Sequence, residues 1–155
     1  MLSRVGSLMT KIYINTIVFN KSLVDGPGVI TLVFFQGCDI HCPFCQNKST
    51  WDIKKGKEIS VDELFKIINE ESFNKKITIT GGEPLLQKEG LLKLVEQLDE
   101  NGFDVALYTG HRKEELPEEI IKHMTYLKYG PFKQEQKTTI KPYVGSNNQI
   151  FEKLR

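Results

Sequence analysis

Apolar positions follow two rhythms along the chain, and the alternation between them predicts the architecture. KIYINTIVFN (11–20) alternates as a strand or extended arm would, and VITLVFFQG (29–37) is nearly continuous in β-branched and aromatic residues, as a buried parallel strand is. KITIT (76–80), DVALYTG (104–110) and TYLKYG (125–130) read as further strands. Between them the period lengthens to that of a helix. Val61, Leu64, Ile67 and Ile68 share one face behind a capping box of Ser60 and Glu63. Leu91, Leu92, Leu94, Val95 and Leu98 form a second amphipathic face closed by Gly102, and Pro117 suits the first turn of a third helix, EEIIKHM. The order β-α-β-α-β-α-β with short loops implies parallel strands joined by right-handed crossovers. Four or five strands are too few to close a barrel, so the expected class is α/β, an open partial (β/α) barrel with a mostly parallel sheet.

In such a sheet ligands bind beyond the carboxyl ends of the strands. Three punctuated sequences fall there: the cysteine loop after residue 37, GGEP (81–84) and YTG (108–110). VDGPG (24–28) supplies a turn before the second strand.

Length and charge narrow the class. The chain of 155 residues fits one domain, 1–155, with residues 1–10 read as a flexible start. No internal repeat or linker divides it. A formal charge of +1 with 26% charged residues carries no basic stripe, which argues against nucleic acid as a partner. No run approaches the roughly 18 apolar residues of a membrane span, and the start has no small-residue cleavage site, so no membrane and a cytoplasmic location are expected.

All three cysteines fall in GCDIHCPFCQN, at Cys38, Cys42 and Cys45. An odd, tightly clustered set is a poor disulfide framework and points to a metal or a catalytic thiol in a reducing compartment. Three soft thiolates on one short loop can ligate three corners of a cubane cluster, leaving one iron open for substrate. The competing reading is a zinc site that includes His41. That pairing is strained because His41 adjoins Cys42, and no second knuckle is evident; His41 reads better as a residue beside the metal or facing a partner. In ITITGGEP the absent side chains of Gly81 and Gly82 allow close approach to a ligand, and Glu83 brings a carboxylate suited to an ammonium group. GGEP also suits a plain turn with Pro84 opening a helix. Thr109 is placed either to hydrogen-bond the ribose or carboxylate of the same ligand or simply to form a strand-to-helix turn.

The C-x3-C-x2-C spacing, with Phe44 before the third cysteine, resembles the radical S-adenosylmethionine superfamily, and GGEP one βα unit later resembles its methionine-binding motif. The resemblance implies a [4Fe-4S] cluster on Cys38, Cys42 and Cys45, with S-adenosylmethionine contacted by Thr80, Gly81, Gly82 and Glu83. Cleavage of the sulfonium would then give methionine and a 5′-deoxyadenosyl radical. VDGPG, QGC (36–38), NKSTW (47–51), YTG, YGPF (129–132) and GSNNQ (145–149) further resemble the activating enzymes of glycyl-radical enzymes, most closely the activases of anaerobic ribonucleoside-triphosphate reductase. The pattern departs at Tyr129, where that family has Asp, and at Val144, where Arg is usual. The implied partners are a glycyl-radical subunit, whose glycine gives up its Cα hydrogen, and an electron donor such as flavodoxin. Two alternatives stand beside this: an activase of a pyruvate formate-lyase-like enzyme, and a zinc-binding interaction module without turnover.

Overall fold

The computed structural model describes residues 10–22, 29–38, 52–131, 133–136, 138, 144, 146 and 148–155. Cys42, Cys45, His41 and Phe44 lie outside the described residues, as do VDGPG, NKSTW, Phe132, Gly145 and Asn147. Ten elements frame the described chain. They are β1 (Lys11–Ser22), β2 (Val29–Phe35), β3 (Lys57–Ser60), α1 (Val61–Glu71), β4 (Lys76–Gly81), α2 (Lys88–Glu100), β5 (Asp104–Tyr108), α3 (Glu118–Ile121), β6 (Tyr126–Tyr129) and β7 (Ile150–Lys153).

The strands form one open seven-stranded sheet in the order β3-β1-β2-β4-β5-β6-β7. Its centre is parallel: β2 pairs with β4, β4 with β5 and β5 with β6. The outer strands run antiparallel to their neighbours. The α/β partial barrel expected from the sequence is therefore present, with β3 and β7 as additions. Both additions are four residues long, β3 with one apolar residue and β7 with two adjacent ones, so neither carries a hydrophobic period that would mark it as a strand.

The helices cover one face of the sheet. Val61, Leu64 and Ile68 of α1 and Leu91, Leu94, Val95 and Leu98 of α2 join Val33, Phe35, Ile77, Ile79, Val105, Leu107 and Leu127 in the main core. Each such side chain contributes about 1.5–3 kcal/mol by leaving water. Local signals set the helix ends. The Ser60 hydroxyl accepts from the Glu63 N–H, opening α1. Gly102, at φ 81°, closes α2 in a Schellman turn, with its N–H on the Asp99 carbonyl and the Phe103 N–H on that of Leu98. Because side chains alternate along a strand, Leu32, Thr78, Thr80, Ala106, Tyr108 and Lys128 belong to the other face. There Phe151 stacks on Tyr126 and meets Tyr108 edge-on, while the Lys128 ammonium stands 4.2 Å from the Tyr108 ring centroid.

Candidate functional site

Three parallel strands end side by side, and the three punctuated sequences meet at their carboxyl ends. β2 runs out through Gln36 and Gly37 to Cys38, which is half-buried. β4 runs out into Gly81, Gly82 and Glu83, and β5 into Thr109 and Gly110.

The cysteine and glycine segments are bonded backbone to backbone. The Gly82 N–H donates to the Phe35 carbonyl at 3.2 Å, and the Glu83 N–H to the Gly37 carbonyl at 2.8 Å. Gly81 makes this approach possible: at φ 128°, a Cβ there would stand 2.2 Å from the Phe35 oxygen. Gly37, at φ 98°, turns the chain toward Cys38, and a Cβ there would press on Leu86 at 2.9 Å and Ile53 at 3.0 Å.

Glu83 is buried, at 1% exposure, and its carboxylate gathers the turn and the next strand. Oε2 accepts from the Thr109 hydroxyl at 2.7 Å and from the Leu85 N–H at 3.0 Å; Oε1 accepts from the Gly110 N–H at 2.7 Å. Burial pushes its pKa upward, and this outweighs the lowering by those three hydrogen bonds and by His111. Pro84 opens a short 3-10 turn, Pro84–Gln87, that leads into α2, so GGEP forms both a helix entry and a junction between strands. Thr109 also accepts from the His111 N–H, and its own N–H reaches the Lys128 carbonyl of β6. The sixth strand's end joins through the Gly130 N–H on the His111 carbonyl and the Gln149 amide on the Gly130 carbonyl. Thr80 sits half-buried one residue before Gly81, on the face opposite the helices. Tyr129, one of the departures noted above, is half-buried against the core, with the Lys113 ammonium 6.0 Å from its ring centroid.

Of the expected site residues, the structure thus brings Cys38, Thr80, Gly81, Gly82, Glu83 and Thr109 to one edge of the sheet. Cys42, Cys45 and Phe44 fall outside the described residues. The donor chemistry suits the implied groups. Cys38 begins its loop where a strand ends, and three thiolates on that loop match the soft-ligand demand of an iron-sulfur cluster. A carboxylate has about four acceptor positions. The described residues fill three on Glu83.

Sequence reading missed a second set of residues. Gln36 is 1% exposed; its Nε2 donates to the Asp52 carbonyl at 2.7 Å and its Oε1 accepts from Asn15 at 3.1 Å. Gln87 donates from its amide to the carbonyls of Tyr13 and Gln36 and accepts from the Tyr13 N–H. The available signal was a glutamine closing an apolar run: a buried amide needs partners, which implies neighbours built to receive it.

Comparison with known proteins gives the family and the fold. The model of a family described as a 4Fe-4S single cluster domain matches residues 24–152. The pyruvate formate-lyase-activating enzyme of Clostridium pasteurianum is 41% identical over 109 residues, covering 67% of this chain and 46% of that enzyme. The corresponding enzyme of Staphylococcus aureus (strain USA300) is 40% identical over 95 residues, covering 56% of this chain and 37% of the relative. The chain thus spans less than half the length of these relatives. The anaerobic ribonucleoside-triphosphate reductase-activating protein of Escherichia coli (strain K12) is 31% identical over 144 residues, covering 86% of this chain and 94% of that protein. Among solved structures, QueE from Escherichia coli superposes with a TM-score of 0.64 at 20% identity, over 83% of this chain and 74% of QueE, a likeness of fold. The cofactors that accompany these matches are a [4Fe-4S] cluster and S-adenosylmethionine. The chain belongs to the 4Fe-4S single-cluster family, among the radical S-adenosylmethionine activases of glycyl-radical enzymes.

Proposed function

We propose that this chain activates anaerobic ribonucleoside-triphosphate reductase by forming the glycyl radical of its large subunit. When bound, the cluster and S-adenosylmethionine supply a one-electron reductive cleavage that yields a 5′-deoxyadenosyl radical able to take the Cα hydrogen of a glycine. The chain's own residues hold and orient. Cys38, Cys42 and Cys45 serve as the cluster's ligands. Phe44, before the third of them, is assigned to the same binding site. Thr80, Gly81, Gly82 and Glu83 present backbone groups and one carboxylate to the methionine moiety. Thr109 keeps the Glu83 carboxylate aimed and lies at the same strand edge. Hydrogen abstraction from a backbone Cα needs no general base. A one-electron donor, flavodoxin in the reading above, completes the set of partners.

The observation that carries this choice of target is the reach of the match along this chain. The likeness to the ribonucleotide reductase activator extends over 86% of it, against 67% and 56% for the two pyruvate formate-lyase activators. The higher local identity, 41%, favours the second reading, a pyruvate formate-lyase-type target. The test is to reconstitute the chain anaerobically, add S-adenosylmethionine and reductant, and offer each class of target separately. A glycyl-radical signal in electron paramagnetic resonance with the reductase and none with the lyase is expected. The reverse result would overturn the assignment.

A further inference from the structure

Gln36 and Asp52 bracket the segment that holds all three cysteines, and they are bonded to each other. We infer that the Gln36 side chain is a positioning residue for the cluster, a clasp that joins the two described residues flanking the cysteine segment, Gln36 and Asp52, and so presets their separation. The inference rests on the reading that this segment binds a cluster.

The outgoing end is fixed on both sides. The Gln36 N–H donates to the Tyr13 carbonyl at 2.9 Å, and the Gln36 carbonyl accepts from the Gln87 amide at 2.9 Å. The returning end then docks on the Gln36 side chain itself. Its Nε2 holds the Asp52 carbonyl at 2.7 Å. Next in the returning chain, the 3-10 turn Ile53–Lys55 is capped by the Asp52 carboxylate, which accepts from the Lys54 N–H at 3.0 Å. Gly56 lies so close that a Cβ there would stand 2.6 Å from the Gln36 Cβ. Gly37 meets Ile53 in the same way, at 3.0 Å. Two close backbone approaches and one part-buried hydrogen bond therefore hold Gln36 and Asp52 together.

The physical consequence concerns entropy. Three thiolates on an unclosed segment lose conformational freedom when they converge on one metal centre. A segment whose ends are already joined has paid the closure part of that cost, and such preorganisation appears as affinity and slower release. A net hydrogen-bond contribution of ordinary size corresponds to about a tenfold change in a rate or equilibrium.

The decisive variant is Gln36→Glu, which keeps the acceptor toward Asn15 and sets a carboxylate oxygen against the Asp52 carbonyl. Gly56→Ala offers an independent perturbation, because at φ −80° and ψ 162° its backbone suits alanine and its new methyl meets the Gln36 stem. Each protein is reconstituted anaerobically with ferrous iron and sulfide. Its iron and sulfide content is measured, and the loss of the cluster's visible absorbance is then followed after adding an iron chelator. Faster loss by about tenfold in Q36E and severalfold in G56A is expected. Ile68→Val, a core change in α1 costing comparable stability, should release its cluster at the wild-type rate. Should Q36E fail to fold, Gln36→Asn carries the same test, its amide being too short to reach Asp52. Equal release rates in wild type and Q36E, or equal acceleration in I68V, would overturn the clasp. A wild-type chain that takes up no cluster would instead overturn the reading on which it rests.

Discussion

The Thr109 hydroxyl donates to Oε2 of Glu83 across 2.7 Å, joining two residues that are 26 positions apart in sequence. Together with the Gly110 N–H on Oε1, it ties the end of β5 to the turn that follows β4. The carboxylate is thus both a candidate ligand contact and a structural joint. Glu83→Ala orphans several donors, each costing about 1–3 kcal/mol when left buried and unpaired. Urea unfolding should show a loss of at least about 2 kcal/mol for E83A. Glu83→Gln retains an acceptor, and Thr109 can turn its hydroxyl to accept, so E83Q should lose less. Equal stability of E83A and wild type would remove the joint.

The same residue sets a pH dependence. Its folded-state pKa is raised, chiefly by burial, so the folded protein binds the proton more tightly than the unfolded chain does. Stability contributed by that proton is complete below the ordinary glutamate range and is lost as pH rises through the elevated folded value. Relative to E83Q, the wild-type urea midpoint should therefore fall across that window and then level. A difference between the two that does not change with pH would contradict the buried carboxylate.

Asp99 should behave in the opposite sense. Burial alone would raise its pKa, but hydrogen bonds from His123 and Arg155, with the Arg155 charge, outweigh this and hold it below the ordinary range. The His123 contact is 2.6 Å. Stability from this group is present above the ordinary aspartate range and is lost as pH falls through the lowered value. Asp99→Asn should flatten the acid limb of the stability profile, as read by urea midpoints at successive pH values.

Gly81 and Gly102 both have positive φ, yet their substitutions should differ sharply. A Cβ at Gly81 would stand 2.2 Å from backbone oxygen, whereas one at Gly102 meets only the Lys75 side chain at 3.9 Å. Gly102→Ala should cost about 1–2 kcal/mol, the penalty of the left-handed backbone. Gly81→Ala should cost upward of about 3 kcal/mol or abolish folding, because two parallel strands would have to part. Thermal unfolding of the two variants compares them directly.

Replacing Cys38, Cys42 or Cys45 with Ala should abolish anaerobic cleavage of S-adenosylmethionine to 5′-deoxyadenosine and lower the bound iron. Full cleavage retained in any one variant would remove that cysteine from the ligand set.

The sequence by itself determined the features whose cause is local. The apolar run of β2 marks a buried parallel strand because both faces of such a strand are covered. The Ser60 and Gly102 signals bound helices because backbone donors and acceptors at helix ends need a partner within a few residues. Cysteine spacing and GGEP were legible for the same reason, since each is a short chemical pattern on one loop. Tertiary structure alone decided what depends on distant chain. β3 and β7 exist because β1 and β6 offer open edges to pair with, which a stretch of only four residues cannot announce. Glu83 meets Thr109, and Gln36 meets Asp52, only after the strands align in register. A hydrogen bond between remote side chains has no periodicity to read. Its existence follows from burial, which requires each polar atom to find a partner, and from a fold that brings that partner within reach.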